Sequence, residues 1–213
     1  MFELRQIRER IFLLSFESKY DLGMHFLRYQ EYYESPKFKG KVFTLIDYME
    51  WYAEEHDGVF SYPNDWSGYN LPSVSILELW EKGIPDVNKY DIFMENIYDM
   101  IKRTIDNEEF YLIGTTGDGS TLRHELAHGL YYTEPEYKQA MYREILNISI
   151  GVRDVLSATL IEMGYDKDVV NDEMQAYLST GLASEMIKAL KKKKFSFVRL
   201  CKPFKEVFAK WHE

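Results

Sequence analysis

The chain has 213 residues, 46% hydrophobic and 29% charged, which suits one folded domain with its own core and excludes a disordered segment. A formal net charge of −9 argues against a general nucleic-acid binder, because phosphate neutralisation supplies most of that affinity. The single cysteine, Cys201, excludes an intrachain disulfide, and no Cys/His motif around it marks a nucleophile.

The first sixteen residues, MFELRQIRERIFLLSF, place charges ahead of an apolar run too short for a secretory core, with no small-residue cleavage site after it. No span reaches the ~18 apolar residues that a membrane helix needs, so a cytoplasmic protein without membrane contact is expected. Residues 10–18, RIFLLSFES, read as a strand, and 21–34 and 42–56 as helices. The second helix carries Phe43, Leu45, Ile46, Met49 and Tyr52 as a broad apolar stripe, with Gly58 as its stop. The stretch 58–73, GVFSYPNDWSGYNLPS, is dense in Pro, Gly, Asn and Ser and reads as a loop carrying Trp66 and Tyr69.

A helix over 88–106 follows, then a strand over 108–116, EEFYLIGTT, and a turn at GDG, 117–119. The remainder reads as helices at 120–133, 135–147, 149–163, 167–181, 182–193 and 200–211, with Pro135, Gly151, Gly164 and Gly181 at the breaks. The basic run KKKK at 191–194 reads as a solvated segment. Without an internal repeat or a long linker, the pattern predicts an α+β fold in one domain. A small sheet lies in 1–118 and a mostly helical part in 119–213.

The stretch STLRHELAHGLYY, 120–132, carries chemistry. On a helix, His124 and His128 lie on one face a turn apart, so both imidazoles can reach one Zn²⁺ at about 2.0–2.1 Å. Glu125 stands about 100° round the helix from His124, placed to reach a water on the metal without ligating it. Such a carboxylate can take the water's proton during attack on a carbonyl. Ser120 or Thr121 can cap this helix, and the small residues Ala127 and Gly129 let another helix come close. Gly129 costs about 1 kcal/mol of helix propensity and so has a packing role.

At HELAH the sequence resembles the zincin metallopeptidases, over about 70 residues from the strand at 109 to the helix ending near 181. That resemblance implies a zincin-like fold in which the strand over 109–115 is a sheet edge along which an extended peptide lies. The longer metzincin pattern is absent, because Tyr131 and Glu134 stand at its glycine and third-histidine positions.

Catalytic zinc sites use three protein ligands and leave a position open. His25 and His56 lie far upstream, and His212 is the penultimate residue. A downstream carboxylate is expected instead. Glu134 and Glu136 are near in sequence, but Glu134 lies about 9 Å further along the helix axis than His128, at a break before Pro135. On NDEMQAYLSTG, 171–181, Glu173, Ala176, Tyr177 and Thr180 share a face, and Ala176 is small enough for close helix packing. Glu173 leads, with Asp172, Glu134 and Glu136 as alternatives; a glutamate on a later helix resembles the gluzincin arrangement.

The expected activity is zinc-dependent hydrolysis of a peptide bond in a peptide or protein substrate. His124, His128 and Glu173 hold the metal, Glu125 activates water, and Tyr177 donates to the substrate oxyanion, with Tyr131 and Tyr132 as other donors. Asp154 and Asp172 are candidates to orient the imidazoles, and Arg123 reads as a surface ion-pair partner. The contrasting reading is a catalytically silent zinc-binding or metal-free protein-interaction domain. A zinc hydrolase of other substrates is a third. The pattern carries no signal for an oligomer.

Overall fold

The computed structural model describes residues 1–66, 68–117, 119–192, 194 and 196–212, with Gly119 and Ser120 described by their backbone alone. The turn at 117–119 and the run at 191–194 thus each include a residue, Asp118 and Lys193, outside the described set, as does any cap by the Ser120 side chain. Lys191, Lys192 and Lys194 are exposed, as expected of a solvated run. The chain divides into two compact units, Met1–Leu122 and Arg123–Glu213.

In the first unit, β1 (Phe2–Arg8) and β2 (Ile11–Phe16) form an antiparallel pair, with Arg10 at φ 58° in the connection. Helices α1 (Lys19–Glu34), α2 (Leu45–Glu55) and the short α3 (Tyr62–Asp65) follow. Next come β3 (Gly68–Pro72), α4 (Ser73–Lys82), α5 (Lys89–Thr104) and β4 (Tyr111–Thr115). The sheet order is β1-β2-β4-β3, with β2 parallel to β4 and β3 antiparallel to it. β2 is a nearly continuous apolar run because it is interior, whereas the exposed β1 alternates charge and bulk at an edge.

Two expectations are corrected here. The strand before the HELAH helix is not an edge: β4 is hydrogen-bonded on one side to β2 and on the other to β3. β3 arises from the stretch read as a loop, and its Pro72 and Gly68 are tolerated because it is itself an edge strand. The helix at 42–56 also differs. It starts at Leu45 behind Thr44, whose hydroxyl accepts from the Asp47 N–H at 3.1 Å. It buries Tyr48 and Tyr52, one turn apart, and leaves Ile46 64% exposed. In β4, Gly114 is required by close approach, since a Cβ there would stand 2.5 Å from the Phe26 ring.

The core of this unit runs from Phe12 and Leu14 through Phe26, Tyr29, Leu71, Ile76 and Leu79 to Met94 and Leu112. Through it passes a buried ion pair. Arg28, 3% exposed, donates from Nε to Asp91 at 2.9 Å and from a terminal nitrogen to the Phe43 carbonyl, and it pairs with Asp86 at 2.9 Å. Asp91 also accepts from the Asn88 N–H at 3.0 Å, closing a capping box at the start of α5. Burial raises the Asp91 carboxyl above its usual range, and Arg28 opposes that rise.

In the second unit, α6 (Gly119–Thr133), α7 (Pro135–Asn147), α8 (Ile150–Glu162), α9 (Val170–Thr180), α10 (Ser184–Lys192) and α11 (Phe197–His212) pack around Leu130, Met141, Leu156, Met174, Leu178 and Phe204. Cys201 is buried in α11, and burial raises its thiol pKa, as expected of a packing residue. No helix among the described residues is long and apolar enough to cross a membrane.

Asp91→Ala removes one half of the α5 capping box and leaves the buried Nε of Arg28 without its carboxylate, with only Asp86 and the Phe43 carbonyl still holding the guanidinium. It is expected to cost about 3–5 kcal/mol in chemical denaturation, while the double replacement Arg28→Met, Asp91→Leu costs clearly less than the two single losses combined. A loss below ~1 kcal/mol for Asp91→Ala would show that the pair does not support the fold.

Candidate metal centre

All the residues of the site belong to the second unit. α6 presents His124 and His128 a turn apart, and α9 meets them with Asp172 and Glu173 in its first turn. Both carboxylates thus lie at the positive end of the α9 dipole. Small residues allow the approach: Ala127 on α6 and Ala176 on α9 are both fully buried, and Gly129 is buried as well.

The donor atoms converge. The two Nε2 atoms are 3.3 Å apart. Glu173 Oε1 is 3.6 Å from Nε2 of His128, and Oε2 is 3.9 Å from Nε2 of His124. Two nitrogens at about 2.0–2.1 Å from one tetrahedral ion stand about 3.3–3.4 Å apart, so the imidazole pair already has that spacing. The carboxylate stands further off, a different oxygen being nearest to each nitrogen, so one oxygen must move inward to ligate together with both rings. His124, His128 and Glu173 thus form a group that can hold a metal ion, with ligand atoms within 4.8 Å of one another. His128 and Glu173 are closed from solvent, and His124 keeps 22% of its side chain exposed, leaving an approach on its side.

Hydrogen bonds fix which nitrogen of each ring carries the proton. The Thr180 hydroxyl spends its hydrogen on the Ala176 carbonyl at 2.7 Å, so at 3.2 Å it accepts from Nδ1–H of His124. Nδ1 of His128 lies 2.9 Å from Asp172 Oδ1 and donates to it. Both rings therefore turn Nε2 toward Glu173, the tautomer a metal ligand needs. The two rings differ in charge preference. Burial, reinforced by the neighbouring His128, lowers the pKa of His124 to about 3, so it stays neutral. Burial also acts against a charge on His128, but Asp172, Glu173 and Glu125 outweigh it and hold its pKa well above the usual value.

The remaining expected residues fall in several places. Glu125 is 7% exposed, and its charge is felt at His128 and at Tyr177. The Tyr177 ring packs on His124, centroids 4.7 Å apart, and its hydroxyl is 2.9 Å from that of Tyr165. Tyr131 is buried on α6 with the Lys138 ammonium 5.0 Å over its ring, and Tyr132 is half-buried. Asp172 takes the orienting role at His128, whereas Asp154 is exposed on α8. Glu134 stands just before α7 without a side-chain cap bond and accepts from Thr133 at 3.4 Å, while Glu136 is exposed there; neither joins the cluster. Arg123 lies with its guanidinium 5.8 Å over the Phe208 ring, and among the described residues it forms no ion pair. Sequence reasoning placed Thr180 on the right face without a role, and missed Tyr165 and Gln175. A threonine two turns beyond a ligand on the same face was the available signal for Thr180.

Compared with known protein families, curated proteins and solved structures, the chain matches none.

The combined contribution of the opposed histidines to the stability of the metal-free protein is expected to peak near the ordinary imidazole pKa of about 6.5. His128 binds its proton more tightly folded than unfolded, so its contribution is complete below about 6.5 and fades as pH rises. His124 binds its proton less tightly folded, so stability falls as pH drops below about 6.5. Denaturation of chelator-treated protein between about pH 5 and pH 8 is expected to show this maximum, and His128→Gln to flatten the alkaline limb. An unchanged limb in that variant would contradict the assignment.

Proposed function

We propose that the protein is a zinc-dependent hydrolase acting on peptide bonds. The observation that carries this reading is the convergence of two Nε2 lone pairs, already at tetrahedral spacing, with the Glu173 carboxylate, while the charge of Glu125 reaches His128. Two neutral imidazoles and one carboxylate are the donor set of open catalytic zinc sites; structural zinc sites close the fourth position, usually with thiolates. When bound, the ion would supply Lewis acidity and lower the pKa of a coordinated water towards ~7.

The chain's own residues do the rest. Glu125 follows His124 directly, about 100° round the helix from it, and its buried charge acts on His128 and Tyr177. It accepts a proton from the attacking water and returns it to the leaving amine. The Tyr165 and Tyr177 hydroxyls share a hydrogen bond at 2.9 Å, and with Tyr165 as its donor the Tyr177 hydrogen is left for the oxygen of a substrate carbonyl. Asp172 and Thr180 keep the imidazoles in the required tautomer. Strand addition of the peptide to β4 is not part of this reading, because both sides of β4 are already paired.

Purified protein is expected to carry about one zinc per chain, and adding zinc at a hundred times its dissociation constant to stabilise the chelated protein by about 2.7 kcal/mol. Glu125→Gln should retain the metal and lose about 10²–10⁴-fold in turnover on a peptide library. Absence of both bound zinc and a thermal shift would favour a metal-free interaction domain. Zinc binding with unchanged turnover in Glu125→Gln would remove the role given to that residue.

A further inference from the structure

Gln175 is completely buried in α9, and all three of its amide bonds are made. Its Nε2 donates to the Ala127 carbonyl at 3.2 Å and to Asp172 Oδ1 at 2.9 Å, and its Oε1 accepts from the Tyr137 hydroxyl at 2.9 Å. The amide orientation is determined by chemistry. Flipped, its oxygen would face a carbonyl and a carboxylate, neither of which has a hydrogen to give.

These bonds bear on the candidate metal centre at two points. Ala127 lies inside the HELAH motif, so the bond to its carbonyl sets how far along α6 the first turn of α9 sits, and with it the distance of Glu173 from both Nε2 atoms. Asp172, in turn, is the group that orients His128, and its side chain is 22% exposed. A carboxylate at a helix start with that much solvent would sample several rotamers. The Gln175 amide, three residues on, holds it in the one that meets Nδ1. Tyr137, itself fully buried on α7, donates only to the amide oxygen, on the side away from Ala127 and Asp172.

We propose that Gln175 is a positioning residue for the metal centre, setting metal affinity by locking Asp172 onto His128 and α9 onto the motif helix. This rests on the metal-binding reading above. Gln175→Glu keeps the acceptor for Tyr137 and removes both donors. It is expected to weaken zinc binding by about 10–100-fold in competition with a chromophoric chelator. The Co²⁺ absorption spectrum should shift with it. Tyr137→Phe leaves both donors in place and serves as the structural control: its melting temperature falls, while zinc affinity stays within about threefold of wild type. Gln175→Met, which keeps the volume, is the second variant should the charged one not fold.

In metal-free protein the hydrogen-bonded Nδ1–H resonance of His128 is expected in the wild type and in Tyr137→Phe, and lost or broadened in both Gln175 variants. Folded Gln175 variants that bind zinc as tightly as wild type, or that keep the resonance, overturn the proposal. So does an equal loss of affinity in Tyr137→Phe, which would reduce the network to general stability. If wild-type protein binds no zinc, the hydrolase reading falls, while the resonance still decides whether Gln175 positions His128.

Discussion

Two imidazole nitrogens with lone pairs turned toward each other at 3.3 Å repel unless positive charge lies between them. The second unit is built around that constraint. Without metal, the proton that Asp172 and Glu173 keep on His128 can fill the gap, donated from Nε2 toward the neutral His124. With metal, the same lone pairs and the same carboxylate are the donors. A metal ion bound as proposed would compete with that proton for one place, and the same carboxylates would attract it.

The economy of α9 follows from helix geometry. Consecutive residues point about 100° apart, so Asp172 and Glu173 can address opposite nitrogens of a single ring, Nδ1 by the first and Nε2 by the second. One turn on, Ala176 gives room for α6, and two turns on Thr180 reaches Nδ1 of the other histidine. Ligand, orienting group, spacer and second orienting group share one short helix. Its axial placement against α6 is therefore the variable that the buried Gln175 network controls.

That same periodicity explains what was readable in the sequence. The HELAH helix, the α7 bounds and the choice of Glu173 over Glu134 and Glu136 all follow from residues sharing a helical face. Asp172 was named both as an alternative ligand and as an orienting group, and local order alone cannot separate those roles. The sheet was less legible. β1 is charged and exposed, so it lacks the apolar alternation of a half-buried strand, and only its pairing with β2 makes it one. β3 has the composition of a loop and is a strand because β4 offers it an open side. α4 starts directly after that strand with no side-chain cap to announce it. Likewise, the Arg28–Asp91 pair joins residues far apart in the chain, which neither periodicity nor a motif connects.

The two acidic residues nearest the imidazoles divide their work for a geometric reason. Glu173 comes from a second helix and approaches the nitrogens head-on, so its oxygens enter the cluster. Glu125 shares the backbone of His124 and His128, and a side chain one residue along cannot point where theirs point. It is held beside the cluster, in a buried place where its charge reaches both His128 and Tyr177. On the proposed hydrolase reading, that one-residue offset between His124 and Glu125 would make Glu125 a base rather than a ligand.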